Sequence, residues 1–422
     1  MRTRLLPLLL IVLACNKKPP PAPADEAQPI CLTPVSGDGP VDVEIRRHQE
    51  MARKLPGKLE SWIGLGHLWL RKARATSDPT YYLQVDRCTE AALKVAPANT
   101  GALVLRATVQ MNDHRFREAR ATTEDIVKRQ PANVLALGIL SDALLELGDV
   151  EAATAAAQRM MDQKPGPTAL VRAAYLRWLH GDVQGAKDLN REALATGRDT
   201  RDPGATAWAF TQAAMVFFHQ ADYDGADLVF AEADKWIPGY PAALVGRARC
   251  ALAKGRPAAA VPLLERAVAQ DPLVETHWLL GDARAAQGDE KGASAAYDLV
   301  LKQGQRTDRL ALATFLSTQQ RDPARALELI EAERRDRGGV YVEDTYAWAL
   351  FRAGRLAEAR QASDRAMRLG TRDARLLYHA GAIRLATGDE DGTRLIEEAL
   401  KLNPGFDRTG AAEAKKLLGD RR

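Results

Sequence analysis

Small and apolar residues along this chain follow a helical rhythm that breaks and restarts at regular intervals. Residues 239–272 read GYPAALVGRARCALAKGRPAAAVPLLERAVAQDP, and residues 273–305 read LVETHWLLGDARAAQGDEKGASAAYDLVLKQGQ. In each stretch apolar side chains return every three or four residues for about three turns, which predicts an amphipathic helix. A Gly then interrupts the pattern (Gly255, Gly288), an Ala stands at a fixed offset (Ala260, Ala293), and a second helical pattern follows. Each stretch predicts a hairpin of two helices joined by a tight glycine turn.

The same unit appears elsewhere when the chain is aligned on that alanine. It falls at Ala119, Ala153, Ala186, Ala226, Ala260, Ala293, Ala326 and Ala359, with spacings of 34, 33, 40, 34, 33, 33 and 33 residues. Twelve positions upstream stand Ala107, Ser141, Ala174, Ala214, Ala248, Gly281, Thr314 and Ala347, all but the Thr very small. Two helices approach closely only where neither carries bulk at the crossing, and overfilling such a place costs about 1–3 kcal/mol. Pro97, Pro131, Pro165, Pro238, Pro272 and Pro404 mark the ends of second helices, because Pro lacks the N–H and clashes with the preceding turn. Asp78-Pro79 and Asp322-Pro323 read as helix starts, an N-cap acid before a first-turn proline.

Residues 73–79 read as an insertion between the helices of the first unit, and 196–205 (TGRDTRDPGA) as a longer connection. One residue is missing between Gly381 and Pro404, and Pro262, inside a second helix, predicts a kink or a late start there.

Small, small and Pro at matched offsets, with a period near 34, resemble the tetratricopeptide repeat family over about residues 60–406. The resemblance implies an all-α fold, a right-handed α-solenoid of about ten stacked helix pairs. Residues 58–406 form the solenoid, with a short capping helix over 41–57 and a C-terminal capping helix over 407–422. Terminal repeats need such caps because they have a neighbour on one side only.

Composition agrees with an ordered chain. Of 422 residues, 46% are hydrophobic and 27% charged, and 59 basic against 55 acidic side chains leave a net charge of +4. That balance lacks the basic stripe of a nucleic-acid reader. The opening MRTRLLPLLLIVLAC has Arg2 and Arg4 before the apolar stretch 5–14, which is too short for a bilayer span of about 20 residues. Residues 1–14 read as a lipoprotein signal peptide. Val-Leu-Ala-Cys at its end resembles a bacterial lipobox, which implies that Cys15 carries the lipid. Asn16 after it implies an outer-membrane lipoprotein facing the periplasm of a bacterial cell envelope. Residues 15–40 are Pro-rich and read as an extended tether.

Motifs for chemistry are missing. No His pair stands at i, i+4, no H-E-x-x-H, phosphate-binding loop or G-x-S-x-G occurs, and no cysteine pair has a metal-ligand spacing. We expect no enzyme activity, no metal and no cofactor. With Cys15 lipidated, Cys250 reads as a small buried residue, and a Cys31–Cys88 disulfide stays open in an oxidising periplasm.

In the family, four places on each first helix line the concave side. Carried across, they hold Tyr175, Trp178, Trp208, Met215, Phe218, Trp278, Phe315, Tyr341, Trp348, Phe351 and Tyr378. An aromatic groove suits a protein or peptide partner. The Lys and Asn that hold a free C-terminal carboxylate in the co-chaperone subfamily are replaced here by Val104, Thr108, Gly138, Asp142, Val245 and Arg249. The expected function is a membrane-anchored scaffold that binds another envelope protein and assists a secretion, pilus or outer-membrane complex. The alternative is an accessory of polysaccharide export, its aromatic groove stacking on glycan rings or meeting a synthase.

Overall fold

The computed structural model describes residues 27–196 and 202–419, and every regular element among them is a helix. The leader, Cys15 and the first part of the tether lie outside the described residues. α1 (Ala27–Cys31) and α2 (Pro40–Lys54) come first. Five antiparallel pairs follow: α3 (Leu59–Thr76) with α4 (Tyr82–Val95), α5 (Thr100–Asn112) with α6 (Phe116–Arg129), α7 (Val134–Glu146) with α8 (Val150–Gln163), α9 (Pro167–Leu179) with α10 (Val183–Thr196), and α11 (Pro203–His219) with α12 (Tyr223–Trp236). Five more are α13 (Pro241–Ala253) with α14 (Pro257–Gln270), α15 (Val274–Ala286) with α16 (Glu290–Thr307), α17 (Arg309–Thr318) with α18 (Pro323–Asp336), α19 (Val340–Arg352) with α20 (Leu356–Met367), and α21 (Ala374–Ala386) with α22 (Asp391–Leu402). α23 (Arg408–Gly419) ends the described chain. The described residues form an α-solenoid of ten helix pairs.

The alanine series lies at the crossings. All eight alanines from Ala119 to Ala359 are at most 1% exposed, and their upstream partners are buried with them. Ser141 shows the contact directly, its Oγ donating to the Ala153 carbonyl at 2.9 Å. In the last pair Gly381 crosses Gly392, where an added Cβ would stand 2.8 Å from the Gly392 carbonyl oxygen.

Local chemistry sets the ends. Asn99, Asn133, Asp149, Asp222, Asp289, Asp308 and Asp322 each accept a bond from a first-turn backbone N–H, which satisfies one of the donors a helix start leaves free. The six marker prolines each follow the last helical residue by two. Pro262 does not delay α14, which starts at Pro257 in step with its neighbours. The insertion at 73–79 lengthens α3 to Thr76 and adds a 3-10 turn over Pro79–Tyr81, capped by Asp78.

The tether read over 15–40 is shorter than its composition suggested. Cys31, Leu32 and Val35 pack into the core of the first pair. Cys31 is fully buried and bonded to Cys88 of α4, with the two Cα atoms 4.9 Å apart. Trp69 Nε1 donates to the Cys31 carbonyl at 3.1 Å, Gln49 Nε2 to the Thr33 carbonyl at 2.7 Å, and Lys72 pairs with Asp42 at 2.6 Å in the interior. Pro-rich composition describes a chain that cannot form its own core; here a disulfide and α3 supply one.

The solenoid also closes on itself. The turn of each pair from the third to the fifth meets the loop that follows the pair five places on. Gly338 N donates to the Glu146 carbonyl at 2.9 Å, Thr371 Oγ1 to the Leu179 carbonyl at 2.6 Å, and Asn403 Nδ2 to the Phe218 carbonyl at 2.9 Å. Each acceptor is a last-turn carbonyl of α7, α9 or α11, and such carbonyls have no partner within their own helix. Ion pairs flank the seam: Arg337 with Glu146, and Arg368 with Glu151 at 3.1 Å. The two departures from the period meet each other as well, Arg74 near the end of the lengthened α3 pairing with Asp202 at the start of α11 at 3.4 Å.

Candidate functional site

Closure changes what the lining residues do. Trp178 is 2% exposed, 5.8 Å from Tyr175, 4.7 Å from the His219 ring and 6.5 Å from Tyr341 across the seam (centroid distances). Val340 and Leu376 join the same core from α19 and α21. The concave side of α7–α11 is therefore filled by the chain's own C-terminal pairs. A carboxylate organises the junction. Asp373 caps α21 by accepting from the Arg375 and Leu376 N–H groups, at 2.8 and 3.3 Å. It also lies 3.3 Å from His219 Nδ1 and accepts from the Tyr341 hydroxyl at 3.3 Å. Burial alone would raise its pKa, but His219, Arg375 and the two backbone donors outweigh that and hold it below the usual value. Burial lowers the pKa of His219, against the pull of Asp373. Burial and then nearby acids raise the hydroxyls of Tyr175 and Tyr341.

Five of the eleven residues expected to meet a partner are core instead: Trp178, Phe218, Phe315, Trp348 and Tyr378 are each at most 4% exposed. The other six are half-buried. Phe218 packs on Tyr223 at 5.7 Å, in the same cluster as Met215. Trp208 lies against α9 and α10, with Arg172 over its ring at 5.2 Å. Trp278 meets Phe315 edge-on at 5.5 Å. A ring packed on both faces cannot stack on a sugar, so the glycan alternative loses its stacking surface at the buried rings.

Trp348, Phe351 and Tyr378 do come together. Trp348 stacks on Phe351 at 5.0 Å and on His379 at 4.0 Å, and stands 5.4 Å from Tyr378. His379 Nδ1 lies 3.0 Å from both oxygens of Asp344. Arg352 lies over this wall, 4.3 Å from the Trp348 ring and 5.6 Å from that of Phe351. Onto it α23 lowers Glu413, whose carboxylate accepts from Arg352 Nη2, the Tyr378 hydroxyl and Gln320 Nε2, each at 2.5 Å. Burial and the Glu413 bond raise the Tyr378 hydroxyl's pKa. Sequence reasoning missed Gln320, Arg352 and Glu413. Their only trace was a lone acid in the C-terminal AAEAKK and an Arg beside an expected lining residue.

Charge at the lining places is mixed. Across the pairs they carry Asp142, Glu275, Asp282, Asp308 and Asp344 against Arg249 and Arg375. Arg172 binds both oxygens of Asp142, at 2.8 and 2.6 Å, and Arg249 pairs with Glu275. Among the described residues no cluster of His, Cys, Asp or Glu is arranged to hold a metal ion, and no helix is long and apolar enough to cross a membrane.

Stacked helix hairpins crossing at small residues define the class as a helical-repeat solenoid. Tetratricopeptide repeat profiles match residues 217–276 and, separately, 104–166 and 247–306. The chain is a tetratricopeptide repeat protein. No curated protein matches its sequence. Among solved structures, the human IFIT1 dimer with m7Gppp-AAAA is 12% identical, covering 90% of this chain and 95% of that one, with a TM-score of 0.51. PilW, a type IV pilus biogenesis factor, is 18% identical over 52% of this chain and all of its own, with a TM-score of 0.42. A tetratricopeptide repeat protein from Parabacteroides merdae is 18% identical over 60% of this chain and 97% of its own, with a TM-score of 0.41. At these identities the likeness is one of fold.

Proposed function

We propose that this chain is an exported, lipid-anchored scaffold that binds another protein of the bacterial envelope and assists a secretion, pilus or outer-membrane assembly. The observation that carries the reading is the Cys31–Cys88 bond, buried under the first pair. Such bonds persist in oxidising compartments and are rare where glutathione keeps thiols reduced. The leader 1–14 and Cys15 agree with export and with an outer-membrane anchor facing the periplasm. Binding rather than catalysis suits a repeat fold, whose stacked hairpins offer an extended surface to a partner. A net charge of +4 from 59 basic and 55 acidic side chains lacks the basic stripe that nucleic-acid binding needs for its contacts to phosphate.

The test is metabolic labelling with an alkyne fatty acid, followed by fractionation, non-reducing peptide mapping and crosslinking in intact cells. We expect label on the wild type and none on Cys15→Ser, an intact Cys31–Cys88 peptide, and a crosslinked envelope polypeptide. Unlabelled protein in the cytosol with both thiols free would overturn the proposal.

A further inference from the structure

The last helix is held differently from every other. α23 has no pairing helix and follows the last repeat on a short loop, yet Glu413 is bonded by side chains of three successive pairs. Gln320 comes from the turn after α17, Arg352 from the end of α19 and Tyr378 from α21. The face that α23 buries is made of Gly410, Ala411 and Ala414, so its backbone settles close to the wall. Lys415 and Lys416 point to solvent. Among the described residues Arg352 has one ion-pair partner, Glu413, and the Tyr378 hydroxyl bonds to the same carboxylate. Lifting α23 would leave a cation and a hydroxyl without partners beneath an aromatic wall. Groups of that kind are costly when unpaired and readily take a replacement. Stacking on Trp348 and Phe351 would keep the guanidinium in place meanwhile.

We propose that the concave face of the last three pairs is a binding site for an amphipathic partner helix that presents a carboxylate from a face of small residues. In the free protein α23 is its internal occupant. Gln320, Arg352 and Tyr378 read the carboxylate, Trp348 and Phe351 position the arginine, and a partner helix binds by displacing α23. The inference rests on the reading of the chain as a protein-binding scaffold and gives that reading its site and its control.

The experiment uses the full chain, its Glu413→Ala variant, and a fluorescein-labelled synthetic peptide of residues 405–419 as the probe helix. In Glu413→Ala the α23 amides should exchange at least tenfold faster, with α19–α22 unchanged. The peptide should bind that variant saturably, at least tenfold more tightly than wild type, where α23 competes. The same peptide with its glutamate changed to alanine should not bind, which keeps the test on the carboxylate without altering the protein. Adding Arg352→Met to the variant should abolish binding while the helical circular dichroism stays intact. Unchanged α23 exchange, no saturable binding, equal binding to both proteins, or binding indifferent to the peptide's glutamate would each overturn the proposal and make α23 a fixed cap. Peptide binding by a chain that captures no envelope partner in cells would sink the cellular reading and leave the site standing.

Discussion

Asn403 donates from its side-chain amide to the carbonyl of Phe218, 185 residues earlier, at 2.9 Å. Its Oδ1 accepts from the Tyr223 hydroxyl at 2.5 Å and from Gly405 N at 3.0 Å. Asn403 is 1% exposed, so its amide has left water for these partners. An open solenoid couples only neighbouring pairs; this bond joins the fifth pair to the end of the tenth.

Asn403→Ala should therefore destabilise the chain at both ends of the bond. The Phe218 carbonyl keeps the Ala221 N–H but loses the Asn403 amide, and the Tyr223 hydroxyl loses its acceptor while still accepting from Gly405 N. Each lost hydrogen bond costs about 0.5–1.5 kcal/mol. Hydrogen exchange should rise around the α11–α12 turn as well as in α22 and α23. An effect confined to the C-terminal helices would show that the seam is open in solution.

Two glycines with the same backbone conformation give a sharper test of closure. Gly181 and Gly354 both occupy the turn after a first helix at φ +76°. An added Cβ at Gly181 would stand 2.6 Å from the Gly370 carbonyl oxygen, whereas at Gly354 nothing lies within 4 Å. Alanine at either site meets the left-handed penalty of about 1–2 kcal/mol. Gly181→Ala should cost at least ~1 kcal/mol more than Gly354→Ala in urea denaturation, because overpacking adds to it. Equal costs would mean that the turn and the loop do not touch.

The repeat register has its own test. Ala260 is fully buried at its crossing, and Lys291 is exposed on α16. Ala260→Leu should lower stability by roughly 1–3 kcal/mol, while Lys291→Leu should change it by less than about 0.5 kcal/mol. Matched denaturation midpoints for the two would mean that the pairs cross elsewhere.

What the sequence made legible was local. Helix hairpins, Asp caps, small crossings and proline ends depend on residues within one unit, so their period survives in the letters. Closure depends on how small rotations between pairs add up, and no single residue encodes that sum. The seam donors are a backbone N–H, a Thr hydroxyl and an Asn amide, at Gly338, Thr371 and Asn403, so they form no motif. Extra residues near Arg74 and Asp202 were visible as insertions, but their contact was not. Trp178 failed as part of an open groove for the same reason. Its place on an open curve becomes core when the curve closes and brings Tyr341 across the seam. Trp348, Phe351 and Tyr378 do gather on the concave side, where the chain's own Glu413 reaches them.

Asp282 gives a pH dependence whose sign follows from burial. It is 6% exposed and accepts from the Tyr297 hydroxyl at 2.7 Å. Burial raises its pKa from 3.8 to about 6, against the opposing bond from Tyr297. Between these two values the folded chain holds a proton that the unfolded chain has released. Stability from this group is therefore complete below about pH 4 and is lost as pH climbs through about 6. The loss approaches roughly 3 kcal/mol, at about 1.4 kcal/mol per unit. Asn at this position keeps an acceptor for Tyr297 and cannot ionise. Other groups also respond to pH, among them His219, whose pKa burial lowers, so the useful quantity is the difference between wild type and Asp282→Asn. Urea midpoints should show the variant gaining on the wild type between pH 4 and pH 7, by about 1–3 kcal/mol. A difference that stays flat with pH would mean that water reaches the carboxylate.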